Sequence, residues 1–89
     1  MKLSVIIVSY NCKVYLDYCI QSVISALKNF HGEVIVIDNN STDNTKDFIR
    51  SKGYNIKFIE SKINLGFSKA NNQAVKSAKG EYLFFLNPD

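Results

Sequence analysis

The chain has 89 residues, 46% of them hydrophobic and 21% charged, with 11 basic against 8 acidic side chains for a net charge of +3. That is room for one small domain of globular composition, which excludes disordered, linker-like and collagen-like material. The lysines are scattered singly, so no patch for nucleic acid forms, and no apolar run approaches the ~20 residues that a membrane-crossing helix needs.

The first apolar run, Leu3–Val8, is short and β-branched and ends in Ser9-Tyr10-Asn11 without a small-residue cleavage site. It predicts a strand, not a signal peptide. Leu16, Ile20, Val23, Ile24 and Leu27 then recur at the spacing of one helix face, with Asn11 the expected N-cap. Glu33–Ile37 predicts a second strand. Ser41 or Thr42 is expected to cap a second helix, with Asp43 at its positive end, Phe48 and Ile49 facing inward and Gly53 closing it. Ile56–Glu60 predicts a third strand. Phe67, Ala70, Ala74, Val75 and Ala78 share one face of a third helix that is expected to stop at Gly80. Glu81–Leu86 predicts a fourth strand.

Runs this continuous in Val, Ile, Leu and Phe suit strands covered on both faces. The alternation β-α-β-α-β-α-β, with right-handed crossovers, predicts an α/β fold. It is a Rossmann-like open, mostly parallel four-stranded sheet with helices on both faces, in strand order 3-2-1-4. Residues 1–89 are read as one unit, with no repeat or linker. Cys12 and Cys19 lack zinc-site spacing and are expected as free thiols, Cys19 in the core. His31, before Gly32, reads as a solvated loop residue.

Every predicted strand ends in polar residues: Ser9-Tyr10-Asn11, then Asp38 to Asp43, then Ser61 to Gly66, then Asn87-Pro88-Asp89. In a parallel sheet these ends share one edge, and ligands of open α/β folds bind there at the topological switch point. With order 3-2-1-4 the switch lies between strands one and four. Ser9, Tyr10, Asp38 and Asp89 are expected to converge on it. No GxxxxGK[ST] and no GxGxxG follows strand one, which argues against an ATPase or an NAD cradle. Asp38 stands where a ribose or base contact is made. Asp89 reads two ways: as a carboxylate for a divalent cation bridging a diphosphate, or as part of an ordinary turn.

These residues resemble the N-terminal, nucleotide-binding half of a family 2 glycosyltransferase of the GT-A fold. The resemblance rests on Ser4 to Asn11, Val36 to Asp43, Asn64-Leu65-Gly66-Phe67, Ala70-Asn71-Asn72 and Leu83 to Asp89, in that order. It implies that Ser9 and Tyr10 pack the nucleotide base and Asp38 takes the base or ribose edge. Asn64, Gly66 and Asn87 belong to the same donor site. Asn87-Pro88-Asp89 occupies the place of the metal-binding D-x-D, with Asp89 meeting Mn²⁺ or Mg²⁺. Three departures stand out: Asn87 for the first Asp of that motif, Asn39 for the second of a common Asp-Asp, and Ala70-Asn71-Asn72 where many members have Ala-Arg-Asn. The rhamnosyltransferase-like members are most similar.

The resemblance implies transfer of a sugar from a dTDP- or UDP-sugar to a saccharide or lipid-linked saccharide acceptor, with inversion. No residue here matches the family's general base, so the chain is expected to be a fragment that carries donor recognition and no transfer activity alone. A cytoplasmic site, at the inner face of the membrane through peripheral association, is the expected location. Self-association through an exposed sheet edge is expected as well. The alternative reading is a non-enzymatic nucleotide-binding or signalling α/β module.

Overall fold

The computed structural model describes residues 2–88. Its elements run β1 (Leu3–Ser9), α1 (Lys13–Ala26), β2 (Gly32–Asp38), α2 (Thr45–Lys52), β3 (Lys57–Glu60), α3 (Phe67–Val75) and β4 (Tyr82–Leu86). The strands form one sheet in the order β3-β2-β1-β4. Every pairing is parallel, and Ser9 lies opposite Asp38 in register. The expected architecture and strand order are those observed.

Strand alternation sorts the core into two layers. Val5, Ile7, Val34 and Val36 pack with Leu16, Ile20 and Val23 of α1 and Ile49 of α2. Ile6, Val8, Ile35 and Ile37 face the other way, onto Ala70 and Ala74 of α3. The small alanines let α3 lie close to the sheet. Cys12 and Cys19 are free and half-buried against the first layer. Burial, then the neighbouring Cys12, pushes the Cys19 thiol up from its ordinary pKa.

The helix ends differ in detail from the expected caps. Asn11 does not cap α1, which starts after Cys12. Asn11 sits at φ +49 and turns its amide across to the neighbouring loop instead. Neither Ser41 nor Thr42 caps α2, whose N-cap position is Asn44. Asp43 Oδ1 accepts the Thr45 N–H at 3.0 Å, so the acidic residue takes over at that helix start. Gly53 ends α2 at φ +66, as expected.

α3 ends at Val75, well before Gly80. Gly80 instead lies against β1, where an added Cβ would stand 2.6 Å from the Ser4 nitrogen. Its N–H donates to Ser4 Oγ at 2.8 Å. Ser4 Oγ donates in turn to Glu33 Oε2 at 2.6 Å, and Glu33 also accepts the Lys79 N–H at 2.6 Å. Lys57 Nζ stands 3.1 Å from Glu33 Oε1. This network locks the chain entering β4 to the amino ends of β1 and β2. Burial pushes the Glu33 carboxyl up, but the bonds from Ser4, Lys79 and Lys57 and the Lys57 charge outweigh it and hold the group below its ordinary pKa.

β4 is the bare edge of the sheet. Tyr82, Leu83, Phe84 and Phe85 are 42–60% exposed although all are large and apolar or aromatic. Among the described residues no helix is long and apolar enough to cross a membrane.

Candidate functional site

The carboxyl ends of the strands carry three loops, and asparagine side chains stitch them together. Asn11 Oδ1 accepts the backbone N–H groups of Thr42 at 2.7 Å and Asp43 at 3.3 Å, and its own N–H donates to Ser41 Oγ at 2.9 Å. Ser41 Oγ donates to Asp38 Oδ1 at 2.5 Å, and the Ser41 N–H donates to Asp38 Oδ2 at 2.8 Å. Asn40 holds φ +64 within this turn, a conformation asparagine tolerates better than most residues. Asn39 reaches the third loop, accepting the Leu65 N–H at 2.7 Å.

Between the loops lies a cavity of about 410 Å³ at the β1/β4 switch point, lined by Val8, Tyr10, Cys12, Asn39, Asn64, Gly66, Phe67, Asn87 and Pro88. Tyr10 presents an exposed aromatic face. Gly66, at φ +77, brings bare backbone to the wall. The lining therefore combines aromatic surface, amides and backbone, the chemistry of a heterocycle or sugar site.

Four of the residues expected at the site do line it: Tyr10, Asn64, Gly66 and Asn87. Ser9 and Asp38 do not reach the wall and are fully buried beneath it. As the last residues of adjacent strands they point into the protein. Ser9 Oγ contacts Cys12 Sγ at 3.5 Å, and both oxygens of Asp38 are taken by Ser41. Of Ser9, Tyr10 and Asp38, expected to converge on one crevice, the structure puts Tyr10 in the wall and leaves the side chains of the other two buried away from it. Asp89 lies outside the described residues. Val8, Cys12, Asn39 and Phe67 are wall residues to which sequence reasoning gave no site role, and Pro88 joins them from the Asn87-Pro88-Asp89 turn. The signal for Asn39 was its place one residue past β2, where the chain leaves the sheet.

A divalent cation needs hard oxygen ligands, usually including carboxylates. No carboxylate lines the cavity among the described residues, and no group of three acidic, histidine or cysteine side chains gathers there or elsewhere among them. The Oδ1 atoms of Asn39 and Asn64 already accept backbone N–H groups. The described residues therefore do not make a metal site by themselves.

Residues 4–89 match the profile of glycosyl transferase family 2. The chain belongs to that family. Among curated family 2 relatives, the poly(ribitol-phosphate) beta-glucosyltransferase of Bacillus spizizenii is 34% identical across 100% of this chain and 15% of its own length. The UDP-Glc:alpha-D-GlcNAc-diphosphoundecaprenol beta-1,3-glucosyltransferase WfaP of Escherichia coli is 40% identical across 97% of this chain and 34% of its own. The chain thus spans well under half the length of these relatives. The crystal structure of S. aureus TarS 1-349 in complex with UDP-GlcNAc superposes with a TM-score of 0.87, at 32% identity, over 100% of this chain and 27% of that one. The mannosyltransferase PcManGT from Pyrobaculum calidifontis shares the fold, with a TM-score of 0.89 at 23% identity over 99% of this chain and 27% of its own.

Proposed function

We propose that this chain is the donor-nucleotide part of a glycosyltransferase that moves a sugar from a UDP- or dTDP-sugar to an acceptor hydroxyl. The observation that carries the reading is the switch-point cavity, with Tyr10 on one side and the amides of Asn39, Asn64 and Asn87 around it. Tyr10 stacks on the pyrimidine, a contact worth about 1–3 kcal/mol in nucleic-acid sites. Asn64, Gly66 and Asn87 contact the ribose and diphosphate. Ser9 and Asp38 act from below, through the loops they hold. The family match and the 32% identity to TarS, crystallised with UDP-GlcNAc, support a uridine donor.

In the whole protein the acceptor oxygen bonds to the anomeric carbon as the bond to the diphosphate breaks, with inversion. The acceptor proton passes to a general base. This chain carries the donor-binding part of that reaction, and transfer belongs to the whole protein. The lipid-linked substrate in the name of WfaP supports a lipid-linked saccharide acceptor, and the inner face of a membrane is the proposed place of work. Asp89 would hold Mn²⁺ or Mg²⁺, which would supply positive charge to offset the negative charge developing on the departing diphosphate.

The test is an NMR titration of the labelled chain with UDP, dTDP and NAD, each with and without Mg²⁺. Saturable shifts at Tyr10, Asn64 and Asn87 with a pyrimidine nucleotide, lost in Tyr10→Ala, are expected. A folded chain that ignores every nucleotide, or prefers NAD, overturns the reading. A further Mg²⁺ response that Asp89→Asn removes is expected for the metal assignment.

A further inference from the structure

We propose that Asn39 is a positioning residue that clamps the loop before α3 in place as a wall of the nucleotide cavity. The inference rests on the donor-site reading above. Asn39 is anchored twice over. It is 4% exposed, and its backbone N–H donates to the Ser9 carbonyl at 2.7 Å, extending the β1–β2 ladder by one residue. Its side chain leaves the sheet and bonds the loop on both sides of one peptide unit. Oδ1 accepts the Leu65 N–H at 2.7 Å, and Nδ2 donates to the Gly66 carbonyl at 3.4 Å.

The loop needs such an anchor. Residues 61–66 belong to no strand or helix, and the chain turns into α3 through Gly66 at φ +77. Their other side-chain bonds are local. Ser61 Oγ donates to the Ile63 carbonyl, and Asn64 Oδ1 accepts the Gly66 N–H. Those bonds shape the turn. The loop's start is tied to β2 by the Ser61 N–H, which donates to the Asp38 carbonyl at 2.9 Å, and Leu65 packs on the core layer under α3, but at the cavity end the polar tie to the sheet is Asn39. Asn64 and Gly66 both line the cavity, so their distance from Tyr10 depends on where the loop is pinned.

The amide type follows from the two partners. One is a donor and the other an acceptor, and only an amide supplies both functions at this length. Aspartate accepts from Leu65 but sets a carboxylate oxygen against the Gly66 carbonyl. Alanine satisfies neither.

The experiment compares the parent 89-residue chain with Asn39→Ala, Asn39→Ser and Asn39→Asp. It reads amide hydrogen exchange residue by residue and titrates UDP. In Asn39→Ala the Leu65 amide is expected to exchange about tenfold faster or more, with β1 and β2 amides unchanged, and the UDP Kd to rise about tenfold. Asn39→Ser, which keeps a polar group at this buried position, gives the same result if the alanine variant fails to fold. Asn39→Asp is expected to restore Leu65 protection. Unchanged Leu65 exchange in the Ala or Ser variant overturns the clamp. Faster Leu65 exchange with an unchanged UDP Kd overturns its role in binding. A parent chain that folds but binds no UDP overturns the donor-site reading, and Leu65 exchange then still decides the clamp.

Discussion

The amide oxygen of Asn11 accepts the Thr42 backbone N–H at 2.7 Å, while Asn11 itself is held at φ +49. One residue thus joins the loops after β1 and β2 and bends the chain out of β1. The two contributions separate by mutation. Asn11→Gly relieves the left-handed backbone and loses the hydrogen bonds, and Asn11→Ala loses the bonds and keeps the strain. Urea unfolding is expected to find both less stable than the parent by about 1–2 kcal/mol from the bonds, with alanine lower by roughly 1 kcal/mol more. Equal stability of the two variants contradicts a backbone contribution.

Two glycines are expected to respond unequally to alanine. At Gly80 the new methyl meets β1 backbone, 2.6 Å from the Ser4 nitrogen and 2.7 Å from the Leu3 carbonyl carbon, so backbone has to shift to admit it. Gly80→Ala is expected to cost about 1–3 kcal/mol or more by overpacking. At Gly53 nothing lies within 4 Å, and only φ +66 opposes a side chain. Gly53→Ala is expected to cost about 1 kcal/mol. Thermal melts that reverse this order contradict the packing at Gly80.

Acid should weaken the fold through Glu33. Its carboxyl is held below its ordinary pKa in the folded chain, so the unfolded chain takes up the proton first as pH falls. The stabilisation is fully present above the ordinary glutamate value of about 4.3 and is lost as pH drops through the lower folded value. Glu33→Ala strands the Ser4 hydroxyl and the Lys79 N–H and is expected to cost about 1–3 kcal/mol at pH 7. The stability gap between parent and variant should narrow below pH 4. A gap independent of pH contradicts the assignment.

The bare edge of β4 is expected to drive self-association. It offers unpaired backbone and the sequence Tyr-Leu-Phe-Phe-Leu without a charge, whereas the β3 edge carries Lys57 and Glu60. Uncharged edges pair with other chains, and an edge lysine blocks that. Light scattering should show mass rising with concentration for the parent chain and a monomer for Phe84→Lys. A parent chain that stays monomeric contradicts it.

Most of the architecture was legible in the sequence. β-branched runs and the spacing of Leu16, Ile20 and Val23 report burial directly, and parallel strands with right-handed crossovers leave few orders to choose from. Gly53 was legible because an αL helix end has one favoured residue type. The caps at Asn11 and Ser41 were misplaced for one reason. Both side chains found partners about 30 residues away or in the strand end below, and those partners outcompeted the local helix start.

The amino-acid order alone therefore determined the elements, the layers they bury and the edge where ligand chemistry gathers, because periodicity and polarity are local properties. Tertiary structure alone decided which polar residues face the cavity. Asp38 and Asn39 are neighbours in the chain, yet one is sealed under Ser41 and the other stands in the wall. Successive side chains of an extended chain point to opposite sides, and the loop bonds that hold them close only when β1, β2 and the turn into α3 are assembled.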